Sequence, residues 1–98
     1  MLILSIVDKA GVFAENKDIA RDIRVNEIIP AIEAGEDQIV LNFEGVSGAT
    51  QSFIHALISD LIRKYESDVF KILYFKNCNA TVQQVINIVA DYMEASYE

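Results

Sequence analysis

The stretch from Glu44 to Leu57, EGVSGATQSFIHAL, gathers three hydroxyl side chains, Ser47, Thr50 and Ser52, with two glycines and the only histidine, His55. It follows an apolar run and precedes a helical apolar pattern, so it joins a buried strand to a helix. An open α/β sheet delivers such a segment to the edge where ligands bind. The amides and positive dipole end of the following helix point at the same place. With Thr50 as N-cap, Ser52 falls in the first helical turn. A phosphoryl group there would be stabilised by the helix start while adding about −1.5 to −2 charges to the surface. The same residues also have a plainer role: Ser47 and Thr50 as turn formers and caps, Ser52 as a helix-start residue. Residue types alone leave both roles open.

Elsewhere the chemistry is sparse. His55 stands on the polar side of its helix, as a surface or contact residue. Cys78, in NCNA, has only Lys76 nearby to lower its pKa and reads as a semi-buried structural thiol. One histidine and one cysteine far apart compose neither a triad nor a metal set, and the carboxylates are spread over surface faces. Four glycines include neither a P-loop nor a GxGxxG pattern. A phosphorylatable aspartate at the end of a central strand is also missing, because the strand exit reads LNFEG with Asn42. No enzyme, cofactor or metal is expected. A small-ligand site would instead have to gather Thr50, His55 and Asn77 in one deep pocket at the strand ends.

The elements that position these residues follow from apolar periodicity. Leu2 to Val7 is a strand stopped by the turn signal DKAG, and Gly11 to Phe13 could add a short strand in a hairpin with it. Asn16 or Asp18 can cap a helix running toward Ala34 and ending at Gly35. Its apolar face changes midway, from Ile19 and Ile23 to Val25, Ile28, Ile29 and Ile32, and Pro30 removes a donor, so a kink or break is expected. Gln38 to Phe43, QIVLNF, is a central strand covered on both faces. Phe53, Ile54, Leu57, Ile58, Leu61, Ile62 and Tyr65 then form the buried stripe of a second helix, with Ser52, His55, Ser59 and Arg63 opposite. Phe70 to Phe75 is a third strand. Thr81 and Gln84 form a capping box for a last helix with Val82, Val85, Ile86, Val89 and Met93 inside. The final residues, ASYE, are expected to fray. Strands and helices alternate throughout, so the expected fold is a single α/β domain over residues 1–98, with a mostly parallel sheet.

Fifteen acidic against eight basic residues give a net charge of −7. Such a field repels phosphate backbones, so direct nucleic-acid binding is not expected. Lys17, Arg21 and Arg24 are interleaved with Asp18 and Asp22 and make a mixed solvated face. The single cysteine fits a reducing compartment, and MLILSIV is too short to span a membrane, so a cytoplasmic protein is expected. An apolar content of 52% leaves room for a partner surface or a homodimer.

The opening stretch resembles the STAS domain of bacterial anti-sigma-factor antagonists. These carry a strand of the form LDL-S-G-V, a short loop, then D-S-S-G-L opening a helix. In LNFEGVSGATQSFIHAL, Leu41, Phe43, Gly45 and Val46 match the strand and its exit. Thr50 stands at the aspartate, Gln51 at the first serine, Ser52 at the phosphoacceptor, Phe53 at the glycine and Ile54 at the leucine. A closer likeness is to a bacterial and phage group of STAS-like domains of unknown function, across roughly residues 11–62. It rests on FAENKDIARDIR, NFEGV and SF, with His55 and Ala56 where that group often has acidic residues. The resemblance implies a small regulatory module that binds another protein, such as a kinase-like ATPase of the anti-sigma type, with Ser52 as phosphoacceptor. The implied contact surface is Ser47, Gly48, Thr50, Gln51, Phe53, His55, Ser59 and Arg63. A constitutive binding or assembly module, such as a phage accessory, immunity or antitoxin-like protein, is the alternative.

Overall fold

The computed structural model describes residues 1–95, without the side chains of Ser67, Glu94 and Ala95. Three short strands carry the main sheet: β1 (Leu2–Ser5), β3 (Ile39–Asn42) and β5 (Leu73–Lys76), all parallel in the order β1-β3-β5. A second, two-stranded parallel sheet joins β2 (Phe13–Ala14) to β4 (Gly48–Ala49). The helices are α1 (Ile6–Ala10), α2 (Lys17–Ile23), α3 (Ile29–Glu33), α4 (Gln51–Tyr65) and α5 (Ala80–Ala95). The architecture is the expected α/β fold with parallel strands. Of the closing ASYE, only the backbone of Ala95 lies within the described residues.

Register explains which side chains make the core. On one face lie the cross-strand rows Leu2–Ile39–Leu73 and Leu4–Leu41–Phe75. Leu4, Ile39, Leu41 and Leu73 of these rows are buried. The row Ile3–Val40–Tyr74 points the other way, with Ile3 56% and Tyr74 37% exposed. Against the core face packs α4, whose Phe53, Ile54, Leu57, Ile58, Leu61 and Ile62 are fully buried. α2 and α5 flank it, one on each side.

Four boundaries differ from the sequence reading. The DKA segment is not a turn but the last part of α1, closed by Gly11 at φ 83°. β2 pairs in parallel with β4 rather than in a hairpin with β1, because α1 carries the chain away before β2 begins. Phe70 and Lys71 lie in a 3-10 turn, Glu66–Lys71, so β5 starts only at Leu73. The cap of α5 is Asn79, whose Oδ1 accepts from the Val82 amide at 2.8 Å, so the helix opens before the Thr81–Gln84 pair.

The change of face between Asn16 and Gly35 is built as a π-turn over Arg24–Ile28, between α2 and α3. Bonding of the i→i+5 kind brings residues five apart over one another. Ile23 and Ile28 can therefore both be buried. Pro30 then sits at the start of α3, where its missing donor is tolerated. Asn16, not Asp18, caps α2: its Oδ1 accepts from the amides of Asp18 and Ile19.

Candidate functional site around Ser52

The exit from β3 is a turn built for its sequence. The Val46 amide donates to the Phe43 carbonyl at 3.0 Å, and Gly45 at the third position has φ 86°. That conformation is open to glycine and strained for other residues. Asn42 Oδ1 accepts from the Glu44 amide and from Asn77 Nδ2, each at 3.0 Å, so one side chain ties this turn to the end of β5.

Beyond the turn the chain is clamped on two sides. The Ser47 amide and hydroxyl both donate to the Val12 carbonyl, at 2.7 and 3.1 Å. Asn79 Nδ2 donates to the carbonyl of Ser47 at 2.9 Å and to that of Val46 at 3.4 Å. The Thr50 amide donates to the Ala14 carbonyl at 3.0 Å. Thr50 is the N-cap of α4, its Oγ1 accepting from the Phe53 amide at 3.1 Å. That leaves Ser52 exposed in the first turn, held in place by its neighbours.

Ser52 opens onto a depression of about 440 Å³ lined by Lys17, Gln51, Ser52, His55, Ala56, Ile88, Val89 and Tyr92. Three helices supply it: the first residue of α2, the first half of α4 and the second half of α5. Its floor is mostly apolar, and Ile88 and Tyr92 are 51% and 67% exposed. Among the described residues, Lys17 is the only fixed charge in the lining and has no ion-pair partner.

The expected contact residues divide. Gln51, Ser52 and His55 share this depression. Ser47 is exposed on the adjoining loop, and Arg63 is exposed further along α4, where Nη1 pairs with Asp60 at 2.8 Å. Phe53, Ser59 and Gly48 are buried, which corrects the reading that placed them on a contact surface. Phe53 fills the core, and a Cβ on Gly48 would come within 2.9 Å of the Phe13 ring. Ser59 is inside because α4 is packed by α2 and by α5, so its buried arc is wider than one apolar stripe.

A second cavity, about 490 Å³, lies at the strand ends and is lined by Phe43, Glu44, Gly45, Val46, Ser47, Asn77, Cys78 and Asn79. It contains Asn77, whereas His55 lines the depression beside Ser52, so the Thr50–His55–Asn77 grouping is not assembled. Cys78 is half-buried, and desolvation raises its thiol pKa above the ordinary value. It is a poor nucleophile at neutral pH. No group of three metal-ligating side chains exists among the described residues, and no described helix is long and apolar enough to cross a membrane.

Sequence reasoning missed Lys17, Ile88 and Tyr92 as lining residues. Ile88 and Tyr92 are four apart and off the buried stripe of α5, which is the signal that could have found them. Residues 22–83 match the family described as STAS-like domain of unknown function (DUF4325). The chain belongs to this family. Comparisons with curated proteins and with solved structures give no significant match. The match to the STAS-like domain takes in the clamped loop, all of α4 and the strand ends. Lys17, Ile88, Val89 and Tyr92 of the lining lie outside the matched residues.

Proposed function

We propose that this STAS-like domain is a regulatory protein-binding module whose contact surface is the depression beside Ser52, switched by phosphorylation of that serine. The observation that carries this reading is the placement of Ser52: exposed, in the first turn of α4, and open to an apolar hollow. A hollow with apolar walls and a few polar groups suits the anchoring side chains of a partner protein. A phosphate at its mouth adds charge where the free surface is largely apolar, so binding would weaken. The partner suggested by the resemblance to anti-sigma-factor antagonists is a kinase-like ATPase that both binds and phosphorylates the domain.

One observation favours a second reading, constitutive binding. Where the antagonist motif has aspartate and glycine, this chain has Thr50 and Phe53. Thr50 is occupied as a cap and Phe53 is buried, so neither is free for a kinase to read. The test uses protein purified from its native host. Phosphate on Ser52 by peptide mass spectrometry is expected. A partner recovered with the Ser52→Ala variant should be bound at least tenfold more weakly by Ser52→Asp. Equal affinity for both variants would leave a constitutive binder.

A further inference from the structure

The switch, as read above, needs a place for the phosphate to go, and the lining of the depression supplies one. Ser52 and His55 are three apart on α4 and so share a face. Lys17, the first residue of α2, borders the same space. Among the other lysines, Lys9 pairs with Glu27 at 2.7 Å, Lys71 with Asp68 at 3.1 Å and Lys64 with Glu33 at 4.0 Å, while Lys76, at the end of β5, is no part of the lining. Lys17 has no such partner among the described residues.

We infer that Lys17 is the intramolecular receptor of a phosphate on Ser52, so that phosphorylation closes the partner-binding hollow by joining α2 to α4 across its mouth. This rests on the reading of Ser52 as phosphoacceptor. In that step the Ser52 Oγ attacks the terminal phosphorus of a nucleoside triphosphate held by a kinase. The new bond is Oγ–P, the bridging P–O bond breaks, the nucleoside diphosphate leaves, and the hydroxyl proton passes to solvent or to the kinase. The product carries three acceptor oxygens and close to two negative charges at neutral pH. The lysine ammonium offers three donors on a flexible stem, and it borders the same depression as Ser52. The consequence differs from simple repulsion of a partner. The phosphate is neutralised at home, and the apolar wall of Ile88 and Tyr92 loses its open side.

Ionisable members of the lining are Lys17, His55 and Tyr92. The test uses a His55→Gln background, so that Lys17 is the one basic side chain left in the described lining. Phosphoserine is installed at position 52 during translation, so no kinase is needed. Its second ionisation, followed by phosphorus NMR, is compared with and without Lys17→Met, which keeps the stem and removes the charge. A nearby cation favours the dianion, so the midpoint should lie about half a pH unit lower with Lys17 than with Met. The dipole of α4 is the same in both proteins and cancels. Reductive methylation of Lys17 should also slow at least threefold on phosphorylation, with Lys9 and Lys64 unchanged. Equal midpoints, or Lys17 labelling unaffected by phosphate, would overturn the proposal. Absence of phosphate on Ser52 in the native host would instead remove the switch itself, which the installed phosphoserine does not depend on.

Discussion

Gly45 shows how a single residue decides where Ser52 stands. At φ 86° it occupies a region that costs an L-residue with a Cβ about 1–2 kcal/mol. A Cβ built there meets only Val7 side-chain atoms at 3.5–3.7 Å, ordinary contact, so the penalty is one of backbone conformation and not of space. Gly45→Ala is therefore expected to lower stability by about 1–2 kcal/mol in urea denaturation, and Gly45→Asn by less, since asparagine tolerates the left-handed region. Equal losses for the two would mean that steric crowding controls the site. The glycine was legible in the sequence as punctuation between a strand and a helix. Its partners were not. Asn42, Asn77 and Asn79 reach carbonyls, amides and one another across gaps of 33 and 35 residues, and nothing local in the sequence encodes such distant pairing. The same limit applies to Lys17, which reads as part of a mixed charged face until the fold brings it beside Ser52.

At the scale of elements, strong periodicity was readable and geometry that breaks the period was not. The α4 stripe from Phe53 to Ile62 is buried as its spacing requires, and the cap at Thr50 forms as its residue type suggests. The stretch from Lys17 to Glu33 instead announced a conflict: two apolar faces out of phase and a proline. The sequence could state that conflict without saying how it is resolved. A π-turn resolves it by adding one residue to a helical turn, as π-bulges do. Val25, 45% exposed within that turn, contributes little burial. Deleting Val25 is expected to convert the segment to continuous α-helix with Ile23 and Ile28 four apart and both still inside. The melting temperature should then fall by less than with deletion of Ala20, which is buried in α2 and would rotate every later residue by about 100°. Thermal unfolding followed by circular dichroism separates the two, and an equal collapse would deny the π-turn its role as the absorber of the mismatch.

For the whole molecule, strand order accounts for the uneven distribution of the core. The order β1-β3-β5 advances in one direction. Right-handed crossovers, the general rule for parallel strands, then place both connections on the same face. The helices accordingly form one layer, with α4 between α2 and α5, and the row Ile3–Val40–Tyr74 faces away from it. A parallel sheet is ordinarily covered on both faces, and the apolar run of β3 was read on that assumption. On the face away from the helices Val40 of the central strand is only 8% exposed, between its neighbours, whereas Ile3 on an edge strand is 56% exposed. Position within the sheet, which no strand's own composition reveals, makes the difference. Mutations on the two faces should therefore separate sharply. Leu41→Ala, on the helix-covered face and fully buried, is expected to cost about 2–5 kcal/mol. Ile3→Lys, one strand away and on the uncovered face, should stay within about 0.5 kcal/mol of the parent. Urea midpoints at constant m measure both. A large loss for Ile3→Lys in the monomer would mean that this face is covered within the chain, and the one-layer arrangement would have to be abandoned.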